Sequence, residues 1–195
     1  MSLRVETVSG PALEAELDSV ARLRIAVFRD WPYLYDGDVD YERRYLEVYR
    51  TSPAAVLVGA FDGDRLIGAA TGTPMEDHAE DFAAAFAGAD IPLTDIFYCA
   101  ESVLLPAYRG RGIGHRFFDL REAHARALGR SHAAFCAVQR PADHPARPAG
   151  YRPLDAFWRK QGYAPLPGAV AHYRWKDLDA AAETAKPMQF WIRRL

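Results

Sequence analysis

The sequence predicts an α/β fold with a mixed central β-sheet flanked by helices. Three observations carry this expectation. Apolar runs of strand length alternate with stretches of helical spacing along the chain. A near-continuous apolar run over 96–105 leads through a short link to Arg109-Gly110-Arg111-Gly112-Ile113-Gly114, which opens an amphipathic helix. Asp62-Gly63-Asp64 joins two apolar runs and marks a hairpin, so antiparallel pairing accompanies the strand–helix–strand unit.

Each element has its own warrant. Residues 3–8 alternate apolar and polar, as in a half-buried strand. Leu13, Leu17, Val20, Leu23, Val27 and Phe28 give 11–28 helical spacing, and Pro32 ends it. Trp31-Pro32-Tyr33-Leu34-Tyr35-Asp36-Gly37 is aromatic and turn-rich, and 39–49 reads as a second helix. Strands follow at 54–61 and 65–73, then a short helix at 80–87. Ile113, Phe117, Leu120, Ala127 and Leu128 line one face of a helix over 112–129, closed by Gly129. A strand at 133–138 precedes a proline-rich loop at 140–150, a helix at 154–161 capped by Gly162, and final strands at 170–175 and 188–192. The order is β-α-α-β-β-β-α-β-α-β-β in a single domain over 1–195.

With 195 residues the chain can bury a full core. A net charge of −2 and a pI near 6.3 argue against nucleic acid as a partner. No stretch approaches the ~18 apolar residues of a membrane span, and the N-terminus lacks a signal-peptide pattern. A cytoplasmic location without a membrane partner is expected. Cys99 and Cys136 fall in strands and read as buried small hydrophobes. The histidines His78, His115, His124, His132, His144 and His172 lack ligand spacing, so no metal is expected.

The glycine turn carries the chemistry. The first N–H groups of a helix have no intrahelical partner and sit at the positive end of its dipole. Glycine lets a phosphate approach them, and Arg109 and Arg111 add positive charge. A P-loop would need Lys-Ser/Thr after its glycines, but His115 follows Gly114. A dinucleotide fingerprint would need a third glycine where His115 stands, and Ser131-His132-Ala133 supplies no acidic residue about 20 positions on.

Arg109-x-x-Gly112-x-Gly114 after a strand resembles the pyrophosphate-binding motif of the GNAT superfamily of acetyl-CoA-dependent N-acetyltransferases. Phe157-Trp158-Arg159-Lys160-Gln161-Gly162-Tyr163 resembles that family's late helix, about one helix and one strand downstream. The resemblance covers roughly residues 54 to 175. It implies a GNAT-like fold and acetyl-CoA as acyl-donor substrate. It assigns the cofactor-binding set Val103, Leu104, Arg109, Gly110, Arg111, Gly112, Ile113, Gly114 and His115. Backbone amides from Gly110 to His115 would hold the pyrophosphate. Backbone groups of Val103 and Leu104 would pair with the pantetheine arm.

The same resemblance implies direct attack of an amine on the thioester, aided by a carboxylate base and a proton donor. Glu101 is the sole carboxylate in 96–105 and the candidate base; ion pairing or a strand bulge would equally explain it. The family's other glutamate position on this strand holds Tyr98. Trp158 stands where many relatives place an acidic tyrosine, and indole cannot supply that proton. Tyr151 is a candidate acid, while Tyr163 reads as a packed aromatic. A non-catalytic acyl-CoA-binding sensor is the alternative that Trp158 suggests.

Relatives build the acceptor pocket near 31–40. Trp31, Tyr33 and Tyr35 are candidate substrate-binding residues for an apolar or cationic group. Asp36, Asp38, Asp40 and Glu42 would attract a positive amine, whereas Arg140, Arg147 and Arg152 would favour an anionic acceptor. The acceptor, a small-molecule or peptide amine, stays open at this point. A homodimer is a further expectation, with 188–192, including Phe190 and Trp191, as its contact or as part of the core.

Overall fold

The computed structural model describes residues 3–195. Its strands are β1 (Leu3–Val8), β2 (Val56–Asp62), β3 (Arg65–Pro74), β4 (Ile96–Leu104), β5 (His132–Val138), β6 (Ala164–Lys176) and β7 (Glu183–Arg194). They form one sheet in the order β1-β2-β3-β4-β5-β7-β6. The β4–β5 pair is parallel and the other pairs are antiparallel, so the sheet is mixed.

The helices are α1 (Gly10–Phe28), α2 (Val39–Tyr45), α3 (Glu47–Thr51), α4 (Ala79–Phe86), α5 (Ile113–Ala127) and α6 (Asp155–Lys160). Side chains alternate across a strand, so β2 feeds two cores. Leu57 and Phe61 pack with Leu13, Leu17 and Val20 of α1, whereas Val58 and Ala60 pack with Ile113 and Phe117 of α5. α1 and α5 therefore sit on opposite faces of the sheet. α4 buries Phe82 and Phe86 beside Phe190.

Three differences from the sequence-based expectation have local causes. The helix over 39–49 divides at Leu46, whose side chain sinks into the core. β6 begins at Ala164 rather than 170, although it contains Pro167. β6 is the edge strand, and its register with β7 slips between Pro165 and Val170, so the missing N–H breaks no ladder bond. β7 is an interior strand with Phe190 and Trp191 buried. Those two residues complete the core, the second of the two readings their sequence allowed.

Two irregularities shape the centre of the sheet. β4 pairs with β5 only from Ile96–His132 to Tyr98–Ala134, after which the strands part. On its other edge, β4 bulges against β3: Ala70 opposes Ser102 but Gly72 opposes Cys99. Ala100 and Glu101 are thus set against Thr71 alone, at the point where the gap opens.

Candidate functional site

The bulge exposes carbonyls that would otherwise join the ladder, and a buried arginine takes them. Arg121 of α5 continues the helical stripe of Phe117 one turn on. Its Nη1 donates to the carbonyls of Thr71 and Glu101, each at 3.1 Å, and its Nη2 donates to Ser102 Oγ at 2.8 Å. A guanidinium has enough donors to saturate such a distortion. It thereby fixes the backbone that carries Glu101.

The Glu101 side chain points to the α1 face and is buried. Its Oε1 accepts from Thr71 Oγ1 at 2.7 Å; its Oε2 accepts from Arg24 Nη1 at 2.8 Å and Tyr45 OH at 3.1 Å. A carboxylate offers about four lone-pair directions, so these donors leave about one for a substrate amine or a water. Arg24 also donates through Nε to Glu42 Oε2 at 2.5 Å and lies 3.8 Å from the Tyr45 ring centroid. One guanidinium thus serves two buried carboxylates. Burial pushes the Glu42 carboxyl up, with Arg24 opposing that rise, and burial likewise pushes the Tyr45 phenol well up.

Arg24, Tyr45 and Thr71 were not singled out from sequence, and Glu42 was read there as part of an acidic loop rather than as a buried partner of Arg24. Arg24 left a signal: it extends the buried spacing of Leu17 and Val20 on α1, where a charge demands a partner. The acidic group at 36–42 does not act as one surface. Asp36 pairs with Lys176, Asp38 accepts the Tyr41 N–H to cap α2, Asp40 pairs with Arg43, and Glu42 is in the core.

At the far end of β4, Gly110 and Gly112 take φ of 76° and 78°, a region that disfavours side chains, and a Cβ on either would meet open space. Gly112 caps α5. The N–H groups of His115 and Arg116 turn back to the Gly112 carbonyl. Ile113 and Gly114 supply the first N–H groups of the helix, which have no intrahelical acceptor. The His115 Nδ1 is held by Gln161.

A cleft of about 1020 Å³ runs from this turn along the parted strands. Leu104, Arg109, Gly110, Gly112, Ile113, Gly114 and His115 line it. Val103 and Arg111 do not: Val103 packs into the α1 core, and Arg111 lies over Tyr108 and donates to the Ala107 carbonyl. The unpaired edge of β4 beyond Tyr98 borders the gap. Free helix N–H groups, glycines without a Cβ and an unpaired strand edge together fit a long ligand that carries a pyrophosphate.

Trp31, Tyr33 and Tyr151 line the same cleft, and Tyr151 stands edge-on to Trp31 at 5.9 Å. Burial raises the Tyr151 pKa, so it keeps its proton at neutral pH. Trp158 packs between Phe135 and Trp191, with centroids 5.0 and 5.1 Å away. Tyr163 is buried and donates to Glu122 at 2.9 Å, as a packed aromatic should. Tyr35 lines instead a second chamber of about 70 Å³. Both cavities share Phe28, Tyr33, Ala100, Glu101 and Cys136, so they meet at the strand gap.

Arg140 is withdrawn from any acceptor. Its Nε donates to the Pro32 carbonyl, its Nη2 to the Tyr33 carbonyl, and both Nη atoms to Asp177. Among the described residues no cluster of His, Cys, Asp or Glu could hold a metal ion. No described helix is long and apolar enough to cross a membrane.

The comparisons agree with this geometry. The chain matches a profile of the Acetyltransferase (GNAT) family over residues 20–163. It is similar in fold to an N-acetyltransferase from Staphylococcus aureus Mu50, with a TM-score of 0.61 and 10% identity, covering 100% of this chain and 99% of that one. It is similar to a ribosomal-protein-alanine N-acetyltransferase from Brucella melitensis, with a TM-score of 0.60 and 13% identity over 98% and 99% of the two chains. A Salmonella typhimurium protein described as an acetyltransferase, solved with its cofactor acetyl-CoA, gives 0.56 and 10% over 99% and 94%. No curated protein matches the chain by sequence. These identities speak to the fold, while the profile speaks to the family. The chain therefore belongs to the GNAT acetyltransferase family, and it is an acetyltransferase.

Proposed function

We propose that the protein transfers an acetyl group from acetyl-CoA to a primary amine by direct attack in a ternary complex. One observation carries the reading: the glycine turn, the unpaired edge of β4 and Glu101 lie along one cleft. The N–H groups of Gly112, Ile113 and Gly114 bind the pyrophosphate, with Arg109 beside them. The free edge of β4, from beyond Tyr98 to Leu104, holds the pantetheine arm as an added strand would. Bound acetyl-CoA supplies an electrophilic thioester carbonyl.

The remaining steps belong to the chain. Glu101 accepts the amine proton through its free lone pair, directly or through one water. The amine nitrogen bonds to the acetyl carbon as the carbon–sulfur bond breaks. Tyr151, protonated at neutral pH, supplies a proton on the thiolate side of the cleft.

Calorimetric titration with acetyl-CoA, with NADH and ATP as controls, tests the reading. Selective binding of acetyl-CoA is expected. Absence of binding would remove the cradle and the reading with it.

A further inference from the structure

The second chamber bears on the acceptor. It lies on the α1–α2 side of the strand gap, opposite α5, and reaches the main cleft at Glu101. Its walls are aromatic: Tyr35, Tyr41, Tyr45, Tyr98, Tyr173 and Trp175 face it. Such walls suit an apolar stem and, through their ring faces, a cation.

Charge narrows the choice. Among the described residues Arg24 is the one cationic side chain lining the chamber, and Glu42 and Glu101 already occupy it. Two carboxylates against one guanidinium leave the buried group short of one positive charge. The rise that burial imposes on the Glu42 carboxyl is consistent with that shortage. An ammonium supplies the missing charge. A carboxylate or phosphate inside the chamber would meet no further cation among its described lining residues, and Arg140 in the main cleft is committed to Asp177.

Hydrogen bonding narrows it further. Tyr45 OH donates to Glu101 and Tyr41 OH to the Arg174 carbonyl, Tyr98 OH pairs with Cys136 Sγ, and Tyr35 OH accepts the Asp38 N–H. A sugar, with a hydroxyl on most of its carbons, would lose more hydrogen bonds to water than the remaining hydroxyls that line the chamber, those of Tyr33 and Tyr173, can return. The volume of about 70 Å³ is half that of the ~150 Å³ cavity that admits benzene. It accommodates a few methylene groups.

We infer that the acceptor is a primary amine at the end of a slender, unbranched apolar stem with no anionic group beside the nitrogen. The inference rests on the acetyl-transfer reading above. A free alkylamine and a lysine side chain share this chemistry.

The test is CoA release from acetyl-CoA with butylamine, norvaline (butylamine with a carboxylate beside the nitrogen), an α-N-acetyl-lysine amide, alaninamide and an aminoglycoside. We expect kcat/KM for butylamine to exceed that for norvaline on the order of 100-fold, from charge repulsion at Glu101. Equal use of the blocked lysine would identify a lysine side chain as a source; butylamine alone would identify free amines. Turnover of norvaline, alaninamide or the aminoglycoside at or above butylamine overturns the inference and leaves acetyl transfer standing. Binding of acetyl-CoA with no turnover of butylamine or blocked lysine also overturns it. Failure to bind acetyl-CoA overturns the acetyl-transfer reading instead. A Tyr41→Ala variant, checked for folding by circular dichroism and for acetyl-CoA affinity by calorimetry, should shift preference from butylamine toward phenethylamine about 10-fold. An unchanged ratio in the folded variant places the acceptor outside this chamber.

Discussion

The Arg140 guanidinium donates to the Tyr33 carbonyl oxygen at 2.7 Å, joining the segment after β5 to the aromatic segment after α1. Trp175 Nε1 reaches the same oxygen at 3.0 Å, and Asp177 holds Arg140 in place with bonds of 2.8 and 2.9 Å. Tyr33 faces both cavities, so this clamp sets one wall of their junction.

Replacing Arg140 by Gln should release that wall. KM for the amine is expected to rise while acetyl-CoA affinity is kept, because the glycine turn is untouched. Asp177 retains Lys186 at 3.4 Å, so the stability loss should fall near the low end for a broken buried pair, about 3 kcal/mol. Steady-state kinetics and urea unfolding check both parts.

Glu101→Gln should lower kcat by about 100-fold or more at neutral pH, the usual scale of a lost general base. The deficit should shrink as the pH approaches the pKa of the amine, which then arrives without its extra proton. A pH–rate profile that parallels the wild type would remove Glu101 as the base.

Gly112→Asp should abolish acetyl-CoA binding while the fold persists. The left-handed φ of 78° costs a non-glycine residue about 1–2 kcal/mol. The added carboxylate would stand in open space at the helix start, where the phosphates approach. Gly112→Ala carries the strain alone, so calorimetry on both variants separates charge from conformation.

His78 gives a pH signature. Burial lowers its pKa from 6.5 in the folded state, and its Nε2 sits 3.0 Å from Thr73 Oγ1. Below pH 6.5 the unfolded chain binds more protons here than the folded chain, so this residue makes stability fall with the pH. The fall ends below the lowered folded pKa. Glu42, raised above 4.5, works in the opposite sense and loses stability as pH rises. The difference in unfolding free energy between wild type and His78→Gln isolates the histidine. It should vary with pH below 6.5 and be flat above it.

Local sequence made the glycine turn legible. The glycines and the apolar strand before them need only neighbours within a dozen positions, and φ values near 77° at Gly110 and Gly112 are what glycine permits. Glu101 stood out because a carboxylate in an apolar strand demands a reason. Its partners did not, since Arg24 and Thr71 meet it across 77 and 30 positions. Arg140 read as a free cation because its carbonyl acceptors lie 107 and 108 positions away. The length of β6 was hidden by Pro167, which only its edge position accommodates.

The sheet is two wings, β1–β4 and β5–β7–β6, stitched by three residue pairs at Ile96, Phe97 and Tyr98. Beyond the stitch, each wing supplies its own wall of the passage between them. A repacking that pivots one wing on this seam alters the width of the passage and leaves every glycine of the turn in place. The width of the gap can therefore drift in evolution without disturbing the geometry of the glycine turn.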